Sequence, residues 1–533
     1  MTLLFAALYE KLSKLEKQMQ KEDTNLFSNL RNELTNQKIQ FTPSGKKYLY
    51  TQRLILQKQN MNDEDYSYLL SSKGIITETK NCPSNFGNRR ISKAYNYFIK
   101  LIEERVQEIA IATPGMDEIS ALLYIKNQFE QAVMVGIEVD KNKDAYMLFE
   151  SLNKRGVPLS AIDLIKNTLI AAADNESDAD NAYEQWKQIL NNISPDDYSV
   201  QERFFRQYYN AFRDELNEPY ANSDKKYYLG YLATRTTLLD IYEQMIKHNY
   251  TELLDDLLLK SQRYALIVNN SDEEHRYSPA LLDLARISGA PSYLLLLYLL
   301  SNQDYFALTD NHMLEIVKLL IVFFVRRNVT DVPNTRKLTQ LFIDTVTEIK
   351  KLKGDQIITC IRNKFKSVAS SDDEFETKLR GPLYDENPEA VRFILCSIEA
   401  DHQTKEIYTD LWSRDKNNKY IWTIEHIFPE GQNIPDVWVD MIANGDKQLA
   451  NQYLSEYVHT LGNLTITGYN QNLSNMSFEK KKDRKSKDKS KDFGYRNGLF
   501  LNQDVVKEDT WTVDKIKDRT DKIVAILLDM YRW

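Results

Sequence analysis

Apolar residues recur at three- and four-residue spacing through most of the first 400 positions, the period of an amphipathic helix. Glycine and proline, 16 and 13 in 533 residues, rarely interrupt it. The pattern predicts a predominantly α-helical chain. Leu4, Leu8, Leu12 and Leu15 form one such stripe almost at residue 1. An apolar helix face needs a cover, from the rest of the chain or from another polypeptide. Tyr293–Leu300 (YLLLLYLL) and Leu319–Val325 (LLIVFFV) are apolar all round. Both fall short of the roughly 18 residues of a membrane span, so each reads as a buried helix.

The helical pattern is punctuated at LFESLNKRGVPLSAIDLIKNTLI, Leu148–Ile170. A helix carrying Tyr146, Phe149 and Leu152 stops near Gly156, a residue suited to the left-handed conformation of a helix end. A second helix starts with Ser160 as N-cap, Asp163 as an acidic capping-box partner, and Leu159 and Leu164 as a hydrophobic staple. One reading is a well-made helical corner. The other is that Asn153, Arg155 and Lys166 gather polar and cationic groups as a phosphate or nucleotide site does. Polar stretches such as ADNESDAD and SSDDEFE separate further helical patterns from Asp174 to Asp385. Arg326 and Arg327 follow an apolar helix and read as its solvated C-terminal end, where cations favour the dipole.

After about residue 385 the period shortens. YIWTIEHIF is β-branched and aromatic and predicts a strand; NLTIT, within HTLGNLTITGYN (His459–Asn470), predicts a second, closed by Gly468. QNLSNMSFEKKK then predicts a helix start, with Ser474 or Asn475 as N-cap and Glu479 in the first turn. The expected order is strand, long loop, strand, helix.

Composition narrows the class. The length suggests roughly two to four domains. With 42% hydrophobic and 27% charged residues the chain is globular, and a net charge of −8 gives no overall attraction to a polyanion. Cys82, Cys360 and Cys396 form no CxxC pair, which argues against a zinc ribbon or disulfide framework and fits a reducing cytosol. The first residues lack the basic region and cleavage site of a signal peptide. Neither GxxxxGK[ST] nor GxGxxG occurs.

Six histidines occur in the chain, and His426 sits beside Glu425 at a strand end, three residues before Pro429. Such a pair alone is commonly a surface salt link or a satisfied core histidine. Hydrolysing a phosphodiester, however, needs a base, a cation to neutralise charge, and a group to hold the imidazole tautomer. His426 suits the base and Glu425 a hard-cation ligand; Asn463 is placed to orient the imidazole; Asn470 or Asn472 offers a second oxygen ligand. Oxygen ligands favour Mg²⁺ or Mn²⁺ over structural zinc. The run Glu479–Asp492 holds eight Lys or Arg against four Asp or Glu. It is either a solvated face or, with Lys480, Lys481, Lys482, Arg484 and Lys485, a phosphate-contacting surface. Trp438, Trp511 and Trp533 have no stacking periodicity and are assigned to the core.

IEHIFP followed by HTLGNLTITGYNQNLSNMSFEKKK resembles the C-terminal domain of GmrSD-like modification-dependent restriction enzymes, a His-Asn-His (HNH) nuclease with a ββα-metal fold. The resemblance implies His426 as general base, Asn463 as orienting residue, Glu425 as metal ligand and Asn470 as the last ligand, or Asn472 if the register shifts. FESLNKRGVPLSAIDLIKN resembles the second motif of the partner domain, which usually has a ParB-like nucleotide-binding core. The family's Asp-Gly-Gln-Gln-Arg signature normally precedes a helix like MTLLFAAL and is missing here. The expectation is therefore a split or truncated form, or a misassigned start, with Asn153, Arg155 and Lys166 only half of a nucleotide site. A nucleoside triphosphate would regulate the enzyme only if a separate subunit or segment supplied the core.

The expected organisation is a helical remainder of a nucleotide-sensing domain over 1–172, a helical scaffold over 173–385, and the nuclease domain over 386–533. The expected function is metal-dependent cleavage of foreign, modified DNA in anti-phage defence, in the cytoplasm and without a membrane partner. The competing expectations are a non-catalytic or split subunit that binds DNA or a partner, and a nuclease directed at RNA.

Overall fold

In a computed structural model the chain is mainly helical. The structure describes most of 3–15, then 63–73, 81–83, 86–88, 90–131, 160–173, 175–217, 232–269, 275–404, 406, 408–469, 473, 475–485 and 493–533. Two compact units emerge, Met1–Asp140 and Lys141–Trp533.

In the first unit the described residues of 3–15 are helical, followed by α1 (Asp63–Ser72), α2 (Arg90–Ala112) and α3 (Glu118–Glu130). Leu8 is fully buried and Leu4 and Leu15 partly so, in one cluster with Leu69, Tyr95, Ile102 and Leu122. The N-terminal apolar stripe is thus covered by this unit's own helices; Leu12 lies outside the described residues. Glu10 pins the same helix by accepting from Tyr95 and from the Lys14 and Lys73 ammonium groups.

The second unit runs through α4 (Ala161–Ala171), α5 (Glu176–Ile193), α6 (Tyr198–Asn217), α7 (Leu238–Val268), α8 (Ser278–Arg286), α9 (Tyr293–Ser301) and α10 (Asp310–Thr330). It continues through α11 (Thr335–Ile349), α12 (Asp355–Val368), α13 (Asp372–Arg380), α14 (Leu383–Glu386) and α15 (Pro388–Asp401). Ser160 caps α4 as its sequence predicts, its Oγ accepting from Asp163 N at 3.1 Å. The two apolar runs are buried helices, α9 and the middle of α10. Arg326 is not the solvated residue its position suggested. It is buried, donates to Asp372 at 2.7 Å and to the Ser370 carbonyl at 3.2 Å, and stacks on Phe375. Arg327 does close the helix end, donating to Asp331 at 2.6 Å.

The C-terminal part comprises β1 (Thr423–His426), α16 (Asp436–Ala443), α17 (Lys447–Tyr457), β2 (Leu464–Thr467), α18 (Phe478–Lys482), α19 (Phe500–Gln503) and α20 (Val513–Met530). The expected long loop between the strands is two helices. The expected helix start also shifts: Ser477 takes the N-cap position of α18 instead of Asn475, and Ser474 lies outside the described residues. β1 and β2 pair antiparallel, with Glu425 opposite Thr465 and His426 opposite Leu464. One apolar cluster runs from Ile162 in α4 to Tyr531 and includes Leu464 and Ile466 of β2. The helical middle and the strand pair therefore share a core.

Candidate active site

Glu425 and His426 are consecutive strand residues, so their side chains leave opposite faces of β1. Each meets a different environment. Glu425 faces α18: its Oε1 accepts from Lys481 Nζ at 2.7 Å and from Tyr495 Oη at 3.4 Å, and all three residues are buried. Lys481 Nζ also donates to the carbonyls of His426 at 2.7 Å and Ile427 at 3.2 Å, tying the strand end to the helix. Burial pushes the Glu425 carboxyl up and the Lys481 ammonium down, while their mutual attraction opposes both shifts. Gly494 lets the segment carrying Tyr495 close on the backbone of α18, because a Cβ there would stand 2.4 Å from the Lys481 carbonyl oxygen.

His426 faces the other way, towards the turn after α17. Its Nε2 lies 3.1 Å from His459 Nδ1, and its Nδ1 lies 3.1 Å from Glu430 Oε2. Tyr384 of α14 stacks on His459 at 5.5 Å, meets the His426 ring edge-on at 4.8 Å, and donates its backbone N–H to the His459 carbonyl. Burial, His459 and the Lys481 ammonium push His426 down to about 3. The ring is neutral at neutral pH, the protonation state a base requires.

Asn463 is fully buried and does not touch the imidazole. Its Oδ1 accepts from Phe428 N at 2.8 Å and Trp511 Nε1 at 3.1 Å. Its Nδ2 donates to the carbonyls of Phe428 and Val458, each at 3.0 Å. It clamps the backbone just after His426 onto the segment that carries His459. The preceding Gly462 lets α20 close on this turn: an added Cβ would lie 2.0 Å from the Ile516 carbonyl oxygen. Buried Arg519 of α20 then satisfies the carbonyls of Gly462 and Leu464, each at 2.7 Å.

The predicted basic surface divides. Lys481 and Lys482 are buried, the second donating to the Glu508 carbonyl at 2.7 Å, so neither presents its charge to a phosphate. Lys480, Arg484 and Lys485 are exposed. Asn470 and Asn472 lie outside the described residues, as do Asn153 and Arg155. Lys166 makes an ion pair within its helix with Asp163 at 3.7 Å. Trp438 and Trp511 are buried, and Trp533 packs against the core.

The described residues by themselves do not form a hard-cation site. The Glu425 carboxylate is already matched by an ammonium group, and no three His, Cys, Asp or Glu side chains gather to hold a metal among the described residues. Sequence reasoning missed His459, Glu430 and Tyr384. Only His459 carried a signal, as the scarce residue type opening the HTLGN segment.

Two family models match the chain. GmrSD restriction endonucleases, C-terminal domain, covers residues 369–526 and contains every residue of the site above. GmrSD restriction endonuclease, N-terminal domain, covers residues 1–170. The class is that of restriction nucleases, hydrolases whose substrate is DNA. The chain belongs to the GmrSD restriction endonuclease family. None of the curated proteins matches it in sequence. Among the described residues, no helix is long and apolar enough to cross a membrane.

Proposed function

We propose that the chain cleaves DNA at the β1–β2 site as an HNH-type endonuclease, with His426 as the general base that activates water. The observation that carries this reading is the His426 ring. It is neutral and held between Glu430 and His459, on a loop end locked by Asn463 and Lys481. A phosphodiester hydrolase needs a base with a fixed orientation, and a purely structural histidine needs no such double constraint. Lys480, Arg484 and Lys485 hold the duplex by its phosphates, without reading sequence.

Further parts of the proposal come from the resemblance: dependence on Mg²⁺ or Mn²⁺ with Glu425 and Asn470 or Asn472 as ligands, a preference for modified foreign DNA, action in the cytoplasm, and regulation by a nucleoside triphosphate. A cation at Glu425 has to displace the Lys481 ammonium. The test is cleavage of plasmid DNA and of phage DNA carrying modified cytosine, with Mg²⁺ or Mn²⁺ and with EDTA. His426→Ala is expected to lower cleavage by about 100-fold or more while the melting temperature is kept. Equal cleavage by wild type and His426→Ala overturns the reading. Binding without cleavage favours the non-catalytic subunit, and cleavage confined to RNA favours an RNA-directed enzyme.

A further inference from the structure

A short hairpin, residues 411–422, leads into β1 and is closed by a bridge between Arg414 and Tyr420. The Ile421 N–H donates to the Ser413 carbonyl at 3.0 Å, and the Asp415 N–H to the Lys419 carbonyl at 2.8 Å. At the tip Asn418 takes a φ of 63°, a conformation asparagine tolerates better than most residues. The Asp415 carboxylate accepts from the N–H groups of Asn417 and Lys419, each at 2.9 Å, so the acid of the tip is engaged by its own turn. Arg414 braces the arm. Its guanidinium stacks on Tyr420 at 3.8 Å and donates to the Asn418 carbonyl at 2.8 Å. The base is pinned from inside. Buried Arg392 of α15 donates to the Leu411 and Trp422 carbonyls, each at 2.7 Å, and stacks on Tyr420 at 3.7 Å. This braced arm presents Lys416 and Lys419 to solvent; among the described residues neither makes an ion pair.

We propose that the hairpin is a second DNA-contacting element, with Lys416 and Lys419 set against phosphates of the duplex that is cut at His426. The proposal rests on the reading of the β1–β2 site as one that cleaves DNA. A chain of contacts joins the hairpin to the cations already assigned to that duplex. Trp422 packs on the turn after β2, where a Cβ on Gly468 would stand 3.8 Å from its ring. The next residue, Tyr469, stacks on Phe493 at 4.0 Å. Phe493 in turn donates its N–H to the Arg484 carbonyl at 2.8 Å, and Arg484 and Lys485 are exposed. The two cationic groups therefore adjoin. Six residue steps separate Tyr420 from His426, at most about 20 Å of extended chain. Along a duplex that is about six base pairs, at roughly 3.4 Å each. A duplex lying along β1 with one phosphate at His426 thus brings further phosphates to the hairpin. With −8 on the whole chain, attraction to a polyanion has to come from local patches of this kind. Pinning matters because a cation on a fixed arm gives up less chain freedom on binding than one on a loose loop. A lysine is a point charge without the planar fork that reads a base edge, so the arm positions the duplex and does not select its sequence.

The experiment uses the full chain in EDTA, so that binding is read without turnover. Fluorescence anisotropy follows a labelled duplex several helical turns long across a salt series. Lys416→Gln with Lys419→Gln is expected to weaken binding by roughly tenfold per lysine at about 0.1 M salt, at an unchanged melting temperature. The slope of log affinity against log salt should flatten by up to about two contacts' worth. Lys416→Arg with Lys419→Arg keeps both charges and is expected to bind as wild type does. Lys351→Gln with Lys366→Gln removes the same charge from exposed positions beside and within α12 and is expected to change nothing. Wild-type affinity and slope in the Lys416→Gln, Lys419→Gln chain overturn the proposal. An equal loss in the α12 pair marks a bulk charge effect and overturns it too, as does a loss that the two arginine substitutions share, which marks a distorted hairpin. A wild type that binds no duplex sinks the DNA reading and the proposal together. Undiminished cleavage by His426→Ala sinks the base alone and leaves the binding comparison standing.

Discussion

Lys481 and Glu425, 56 positions apart in the chain, meet as an ion pair at 2.7 Å with both side chains almost fully removed from solvent. A cation expected to greet DNA is instead an internal tie between α18 and β1. Removing one partner leaves the other buried and unmatched, which typically costs about 3–5 kcal/mol. Lys481→Met is expected to destabilise the second unit by that order in urea unfolding. The double change Lys481→Met with Glu425→Gln should recover part of the loss, because it removes both charges. Equal stability of Lys481→Met and wild type contradicts the pair.

Through its side chain and its carbonyl, which accepts from Ile427 N at 2.9 Å, Asn463 makes five hydrogen bonds to four residues. Asn463→Ala strands buried groups on Phe428, Val458 and Trp511, each worth about 1–3 kcal/mol when left unpaired. Both a lower melting temperature and a loss of cleavage are expected.

The exposed and buried lysines of the basic run separate by salt dependence. Each phosphate contact contributes a slope of about 0.9 in log affinity against log salt. Changing Lys480, Arg484 and Lys485 together to Gln should flatten that slope by up to about three contacts' worth. Lys482→Met should leave it unchanged, because Lys482 Nζ is spent on the Glu508 carbonyl. Equal effects from the two variants would mean that Lys482 reaches DNA.

The pH dependence follows from His426. Its pKa falls from 6.5 in the unfolded chain to about 3 in the fold. A depressed value means that the unfolded state binds the proton first. The group's contribution to stability is present above 6.5 and is lost as pH falls towards 3. For activity the base form persists throughout that window. The acid limb of kcat/KM is therefore expected well below 6.5, and a limb at or above 6.5 contradicts the burial argument. Glu10 in the first unit behaves in the same sense: its carboxyl is held down to about 2 against desolvation by Lys14, Lys73 and Tyr95. Its contribution is present above 4.5 and fades as pH drops towards 2, a slope that Glu10→Gln should remove.

Gly462 is the smallest residue with a large expected effect. A methyl at this position meets the Ile516 carbonyl at 2.0 Å, and the helix backbone of α20 cannot yield as a side chain could. Gly462→Ala is expected to destabilise by about 1–3 kcal/mol or more and to weaken cleavage through the Asn463 turn. Differential scanning calorimetry together with the plasmid assay reads both effects.

Much of the architecture was legible from local patterns. Ser160 and Asp163 announced the start of α4, and the apolar runs of α9 and α10 announced buried helices. The β-branched residues of TIEH and LTIT announced strands around His426 and Asn463. The two helices between the strands were not legible. α16 and α17 are short segments whose stability comes from packing of Trp438, Val439 and Ala450 more than from their own period. Nor was the self-sufficient cover of the Leu8 stripe, because an apolar face states that it needs a partner and not which one.

The sequence by itself determined a helical protein ending in a strand pair that presents an acid and a histidine, since those depend on residue type and spacing along a few turns of chain. Only the tertiary structure decided what each side chain does. Lys481 and Arg326 turn inward because long cationic side chains meet buried carbonyls and carboxylates from distant segments. Asn463 clamps backbone, and His459 meets the ring, because a 3 Å hydrogen bond is set by how β1, β2, α14 and α20 pack together and not by distance along the chain.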